Sequence, residues 1–194
     1  MSVPVRPAAS VVVVDDRPDL HVLIGRRRPG SAFVGGLIVF PGGGVDPDDH
    51  TELARARVPP TTVPGLAGAE AAALLHAGVR ETEEEVGLVL RQGPFPHIGR
   101  WVTPEGSPRR YDTHFFLARH EGGEAVADQI ELVDVWWERP STTLERVAAG
   151  DLDAIAPTLA FLRALAVHDR VEAAFAATQR AGGRAQHDHG WVAF

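Results

Sequence analysis

The 194-residue chain contains no cysteine. Disulfides, thiolate nucleophiles and cysteine-based zinc sites are therefore excluded. No apolar run approaches the length of a membrane span. Val11–Val14 is too short for a signal-peptide core and is followed by Asp15-Asp16. Basic residues are outnumbered, with 19 Lys plus Arg against 26 Asp plus Glu and a pI near 5.7. A net charge of −7 argues against a general nucleic-acid binder, which needs a basic face. Internal repeats are absent, and the nine histidines include no i,i+4 pair on a helix. The expectation is one soluble cytoplasmic domain with a sizeable core and no membrane partner.

What is present centres on Arg80-Glu81-Thr82-Glu83-Glu84-Glu85-Val86-Gly87-Leu88. On an α-helix, Leu75, Val79, Thr82 and Val86 share one packing face. Glu81, Glu84 and Glu85 cluster on the other side. Gly87 follows as the residue that ends a helix in the left-handed conformation. Like charges at i,i+4 repel by about 0.2–0.5 kcal/mol per pair. Carboxylates in a last turn also face the negative end of the helix dipole. A Glu-rich helix end is often only a solvated face, but a hard divalent cation such as Mg²⁺ or Mn²⁺ would reverse both penalties. Upstream, the buried strand Leu37–Phe40 runs into Pro41-Gly42-Gly43-Gly44, a turn whose backbone can approach ions and phosphates closely.

Arg80-Glu81-Thr82-x-Glu84-Glu85-x-Gly87-Leu88 resembles the core of the Nudix box, RE-U-x-EE-x-G-U with U a bulky aliphatic. Thr82 is the one soft mismatch. The full box is G-x5-E-x7-R-E. Past the five residues that follow Gly43 stands Asp49, a shorter acid than the usual Glu, whereas the same position counted back from Arg80 is Ala72. Extra residues, roughly 50–68, therefore lie inside the box, and are expected to form a lid or specificity element outside the core. The resemblance implies an α/β/α sandwich with a mixed sheet and C-terminal helices. It implies metal-dependent hydrolysis of a nucleoside diphosphate linked to another moiety. It also implies Glu81, Glu84 and Glu85 as metal ligands, joined by a backbone carbonyl of Gly42 or Gly43.

Along the chain, Met1–Pro7 reads as a loose leader, and Ala8–Val14 with Leu20–Gly25 as a hairpin. Helix Ala69–Val86 follows the insertion. His97–Val102, Tyr111–Ala118 and Glu131–Glu138 read as strands. Thr142–Ala149, a segment opening at Pro157, and Val171–Arg180 read as helices. The tail from Ala181 to Phe194 carries no clear signal. Exposed strand edges would allow a homodimer.

Clustered carboxylates beside a glycine turn suit metal-assisted attack on a phosphoanhydride. Arg80, one residue from Glu81 and i,i+4 from Glu84, is placed to orient them. The general base is left open among the box glutamates, Glu105, Asp112 and Glu131. Arg26, Arg27, Arg28, Arg109 and Arg110 are candidate phosphate contacts. Phe33, Trp101 and Tyr111 are candidate surfaces for the base. Phe40-Pro41-Gly42-Gly43, Trp101-x-Thr103-Pro104 and Arg110-Tyr111-Asp112-Thr113-x-Phe115-Phe116 look like the acyl-coenzyme A diphosphatase branch, although Ala32 replaces an arginine of the longer CoA signature. The substrate expected is CoA or acyl-CoA. The alternatives are ADP-ribose or a dinucleotide, or a Nudix-like module that binds nucleotide without catalysis.

Overall fold

The computed structural model describes residues 3–30, 35–180 and 184–194. Strand β1 (Val5–Asp16) and strand β2 (Leu20–Arg27) form the expected antiparallel hairpin, with Val14 opposite Val22. On the other side of β1 runs β6 (Arg110–Arg119), parallel to it from Val5–Arg110 to Val14–Arg119. β5 (His97–Val102) is antiparallel to β6. β3 (Ile38–Val39) and β7 (Leu132–Glu138) both pair with β2, and β4 (Gly42–Gly44) pairs with β1. One parallel pair among antiparallel ones makes the sheet mixed.

Both faces of this sheet are covered. Helix α2 (Gly68–Val86) packs on one, burying Ala71, Leu74, Leu75 and Val86 against Val11, Val13 and Phe116. Helices α3 (Pro140–Ala148), α4 (Ala156–Leu165) and α5 (Val171–Thr178) close the other, where Phe161, Leu162, Leu165 and Phe175 meet Val12, Val14 and Leu117. Burial on both faces explains why β1 is a continuous valine run rather than an alternating one. The architecture is the expected α/β/α sandwich.

Three expectations are corrected. The leader is not loose from residue 5 to 7, because β1 begins at Val5, where pairing with Arg110 and Tyr111 of β6 supplies backbone partners that the local sequence does not reveal. The tail is not featureless. β8 (Arg184–His187) and β9 (Gly190–Ala193) form a hairpin, and β9 joins the sheet beside β5, with Trp191 opposite Arg100. Asp188-His189-Gly190 between them was the available turn signal.

The third correction concerns the insertion. It contains a four-residue helix, α1 (Glu52–Arg55), capped by the Thr51 hydroxyl, and then a loop. Ala54 is buried, and Val63 belongs to the core under α2. No residue of the segment lines the main cleft. What is corrected is its place outside the core: two apolar side chains suffice to dock a loop whose sequence shows no period, while Ala56, Arg57 and Val58 line a second cleft with His76, Arg80, Glu83 and Glu84. Val63→Ala should cost about 1–2 kcal/mol and lower the melting temperature by several degrees, with KM unchanged. A variant that melts like the wild type but has an altered KM would put the segment back outside the core.

Candidate active site

The site forms where β4 crosses the C-terminal half of α2. Ser10 of β1 donates its hydroxyl to the Pro41 carbonyl at 2.8 Å and pins the start of the glycine turn. The Gly42 N–H donates to Glu85 Oε2 at 2.9 Å. A Cβ at Gly43 would stand 2.4 Å from the Glu81 carboxyl carbon. Any larger residue would push that carboxylate out of its present place. The turn and the acidic helix, 38 positions apart in sequence from Gly43 to Glu81, are thus one constellation.

Arg80 organises it. Its Nε and Nη2 reach the two Asp49 oxygens at 3.2 and 3.1 Å, its Nη1 reaches Glu81 at 3.0 Å and Glu84 at 3.1 Å, and Nη2 also reaches the Gly44 carbonyl at 3.1 Å. A planar fork with fixed donors suits this multiple clamping, which an ammonium would not reproduce. Asp49 is 1% exposed and also accepts from His76 Nδ1 at 2.7 Å and from the Asp46 N–H at 2.8 Å. Burial raises its carboxyl, but these bonds from Arg80, Asp46 and His76 outweigh burial and hold it below the ordinary range. Burial likewise works against the Arg80 charge, and its Asp49 and Glu81 partners more than compensate.

The two inner glutamates lie the other way. Glu85 is 3% exposed, and burial pushes it up to about 8 despite the Gly42 N–H and the nearby Arg27 charge. Burial also raises Glu81, with Arg80 opposing. The three glutamates do not all lie opposite the packing face as expected: Glu85 points inward, whereas Glu84, with 58% of its side chain exposed, faces out. Among the described residues no three acidic or histidine side chains already converge on a point. The donor set nevertheless fits a hard cation. Glu85 Oε1 is buried without a hydrogen-bond partner, and an acceptor left so costs about 1–3 kcal/mol until something positive meets it.

A cleft of about 370 Å³ opens beside Gly43 and Glu81 on the α4 side of the sheet. Arg27, Trp101, Arg109, Tyr111 and Glu131 line it, and Pro157 and Thr158 at the start of α4 form its far wall.

No family model and no curated protein matches the sequence. Solved structures do. A Nudix hydrolase from Alicyclobacillus acidocaldarius superposes with a TM-score of 0.79 at 28% identity, over 90% of this chain and 96% of that one. The chain is an enzyme of the Nudix hydrolase fold. The Nudix domain of Shewanella oneidensis NrtR, complexed with ADP ribose, has a TM-score of 0.57 at 15% identity, covering 82% of this chain and 85% of its own. An Ap4A hydrolase from C. elegans has 0.54 at 16%, covering 82% and 93%. At those identities the last two share the fold alone.

The residues that resemble the Nudix box are split in sequence and joined in space. Gly43 and Asp49 come from one half, Arg80, Glu81, Glu84 and Glu85 from the other. The Thr82 mismatch is absorbed: its hydroxyl donates to the Gly78 carbonyl at 2.7 Å inside the buried face. Of the candidate substrate contacts, Arg27, Trp101, Tyr111 and Arg109 reach the cleft. Arg26 instead lies over the Trp136 ring, 5.7 Å from its centroid. Arg28 donates to the Ile130 carbonyl at 2.9 Å and to that of Gln129. Arg110 donates to the Thr103 carbonyl at 3.1 Å. Phe33 lies outside the described residues. Of the three outside carboxylates only Glu131 lines the cleft, whereas Asp112 is held by Arg100 in two bonds of 2.7 Å and Glu105 sits in an exposed loop. Sequence reasoning missed His76. Its place four residues before Arg80 on the helix was the signal.

Proposed function

We propose that this Nudix protein is a Mg²⁺- or Mn²⁺-dependent diphosphatase that cleaves CoA or acyl-CoA at the phosphoanhydride. The observation that carries the chemistry is the Glu81 carboxylate seated against Gly43 and clamped by Arg80, beside the buried, unpartnered Glu85 oxygen. Glu81, Glu85 and the Gly43 carbonyl would hold the cation, with Glu84 at the outer edge. When bound, such an ion neutralises phosphate oxygens and makes a water more acidic. Arg80 keeps Glu81 in place through Asp49, which His76 steadies in turn. Arg27 and Arg109 offer forks to the phosphates, and Trp101 and Tyr111 offer faces to the base. Glu131 is the carboxylate outside the box positioned to accept a proton.

CoA carries one more phosphate than its dephospho form, so a CoA enzyme gains from one more cation. Arg109 is that cation in the cleft, where Arg110 is engaged with Thr103. Wild-type enzyme with Mg²⁺ or Mn²⁺ should convert CoA to 3′,5′-ADP and 4′-phosphopantetheine, identified by mass. Arg109→Glu should raise KM for CoA more than for dephospho-CoA. Efficient cleavage of ADP-ribose or a dinucleotide with no cleavage of CoA would transfer the proposal to those substrates, in line with the ADP ribose bound by the Shewanella domain and the Ap4A hydrolase of C. elegans.

A further inference from the structure

Arg27 at the end of β2 and Glu131 at the entry to β7 are neighbours across paired strands and both line the cleft, with Arg27 Nη2 donating to Glu131 Oε2 at 2.8 Å. Everything around this pair is fixed except the two side-chain ends. The Glu131 and Leu132 N–H groups donate to the Asp128 carboxylate at 3.0 and 2.9 Å. The Glu131 carbonyl accepts from the Arg28 N–H at 2.8 Å, and Asp128 N–H is tied to the Glu85 carbonyl at 2.9 Å. The backbone of Glu131 is thereby anchored to the end of the catalytic helix. Its carboxylate is close enough that its charge raises both Glu81 and Glu85.

Arg27 is therefore the cation held by Glu131 and close enough to Glu85 for its charge to act on that carboxylate. Its Nε is buried and has no hydrogen-bond partner among the described residues. A guanidinium that uses one donor on Glu131 and leaves another idle is not in its best-satisfied state. A diphosphate would offer its planar fork two oxygens for a bidentate contact, the stronger kind. Half of the Glu131 side chain is exposed, with 51% accessible, so the existing pair is cheap to open.

We infer that the Arg27–Glu131 pair is a substrate-operated latch: an incoming diphosphate takes Arg27 and hands the Glu131 carboxylate to the metal site. Arg27 is a positioning residue in this scheme as well as a phosphate contact. The inference rests on the metal-dependent reading above. It adds that metal affinity depends on whether Arg27 is engaged elsewhere, so that cation and nucleotide bind cooperatively through these two side chains.

The test measures Mn²⁺ binding by the paramagnetic signal of the free ion, without turnover. Wild type, Arg27→Gln, Glu131→Gln and the double variant are compared, each with and without a nucleoside diphosphate whose bridging oxygen is replaced by methylene. Without nucleotide, Arg27→Gln should bind Mn²⁺ up to about fivefold tighter than wild type. The analogue's own phosphate oxygens add Mn²⁺ affinity in every protein, so the reading is the ratio: the advantage of Arg27→Gln over wild type should disappear once the analogue is bound. The gain should vanish in the double variant. Equal affinities for wild type and Arg27→Gln would overturn the latch. A gain that persists in the double variant would overturn it too, since that would be a general charge effect. Failure of every protein, wild type included, to bind Mn²⁺ would instead overturn the metal-dependent reading and the latch with it. Melting curves of all four proteins establish that each is folded.

Discussion

Glu85→Gln and Glu81→Gln should each lower kcat by at least tenfold, and by roughly a hundredfold if a full ligand is lost. The two residues fail for different reasons. Glu81 is the carboxylate seated against Gly43, where a Cβ would collide at 2.4 Å, so its position is set by the turn itself. Glu85 offers a buried oxygen that nothing in the protein satisfies. Gln keeps the shape of both and the Gly42 bond to position 85, but it removes the charge that a cation needs. Glu84→Gln should be milder, because Glu84 is largely solvated and touches the cluster only through Arg80. Steady-state rates with Mg²⁺ or Mn²⁺ in excess check this ranking. Wild-type rates for both inner variants would remove the metal assignment.

Stability should run against that loss. Metal-free wild type should become less stable as pH rises from about 4.5 to about 8. The sign follows from proton counting. Glu85 is pushed up to about 8, whereas the unfolded chain ionises it near the ordinary value of 4.5. Between those limits the unfolded state has released a proton that the folded state still holds, so the stability slope is negative. The loss across the window is on the order of a few kcal/mol. Glu85→Gln should remove this slope and melt higher than wild type near pH 8. Asp49 acts in the opposite direction but elsewhere. Its lowered carboxyl contributes stability above its unfolded value of 3.8 that is lost as pH falls further. Added Mg²⁺ or Mn²⁺ should raise the wild-type melting temperature most at the upper end of the window, where the ion replaces the proton on Glu85. Thermal melts in chelator and in metal at four pH values measure it. A flat metal-free profile, or an equal shift in Glu85→Gln, would refute the account.

The fold itself carries no helix long and apolar enough to cross a membrane among its described residues. Its functional logic lies in one corner of the sandwich. Two requirements meet there: backbone without side chains at Gly42 and Gly43, and carboxylates without solvent at Glu81 and Glu85.

The sequence alone determined the parts whose signals are local. Gly87 ends α2 at φ 71°, where the last apolar residue predicts it. The valine run of β1, the hairpin with β2 and the three C-terminal helices are legible because periodicity and turn chemistry are written within a few residues of one another. The Arg-Glu-x-x-Glu-Glu spacing is legible for the same reason. Only the tertiary structure decided what each of those charges meets. Position counting left Asp49 six residues from Gly43 and far from Arg80. The folded chain delivers it to 3.1 Å from the guanidinium, because the intervening segment is anchored by Ala54 and Val63. It turned Glu85 into the core and Glu84 out to water, although both sit one turn or less from Glu81. It chose Arg27 and Arg109 for the cleft from five equivalent arginines, and it added the C-terminal hairpin to β5. Such choices depend on residues brought together from distant parts of the chain, and desolvation and close approach act only once that assembly exists.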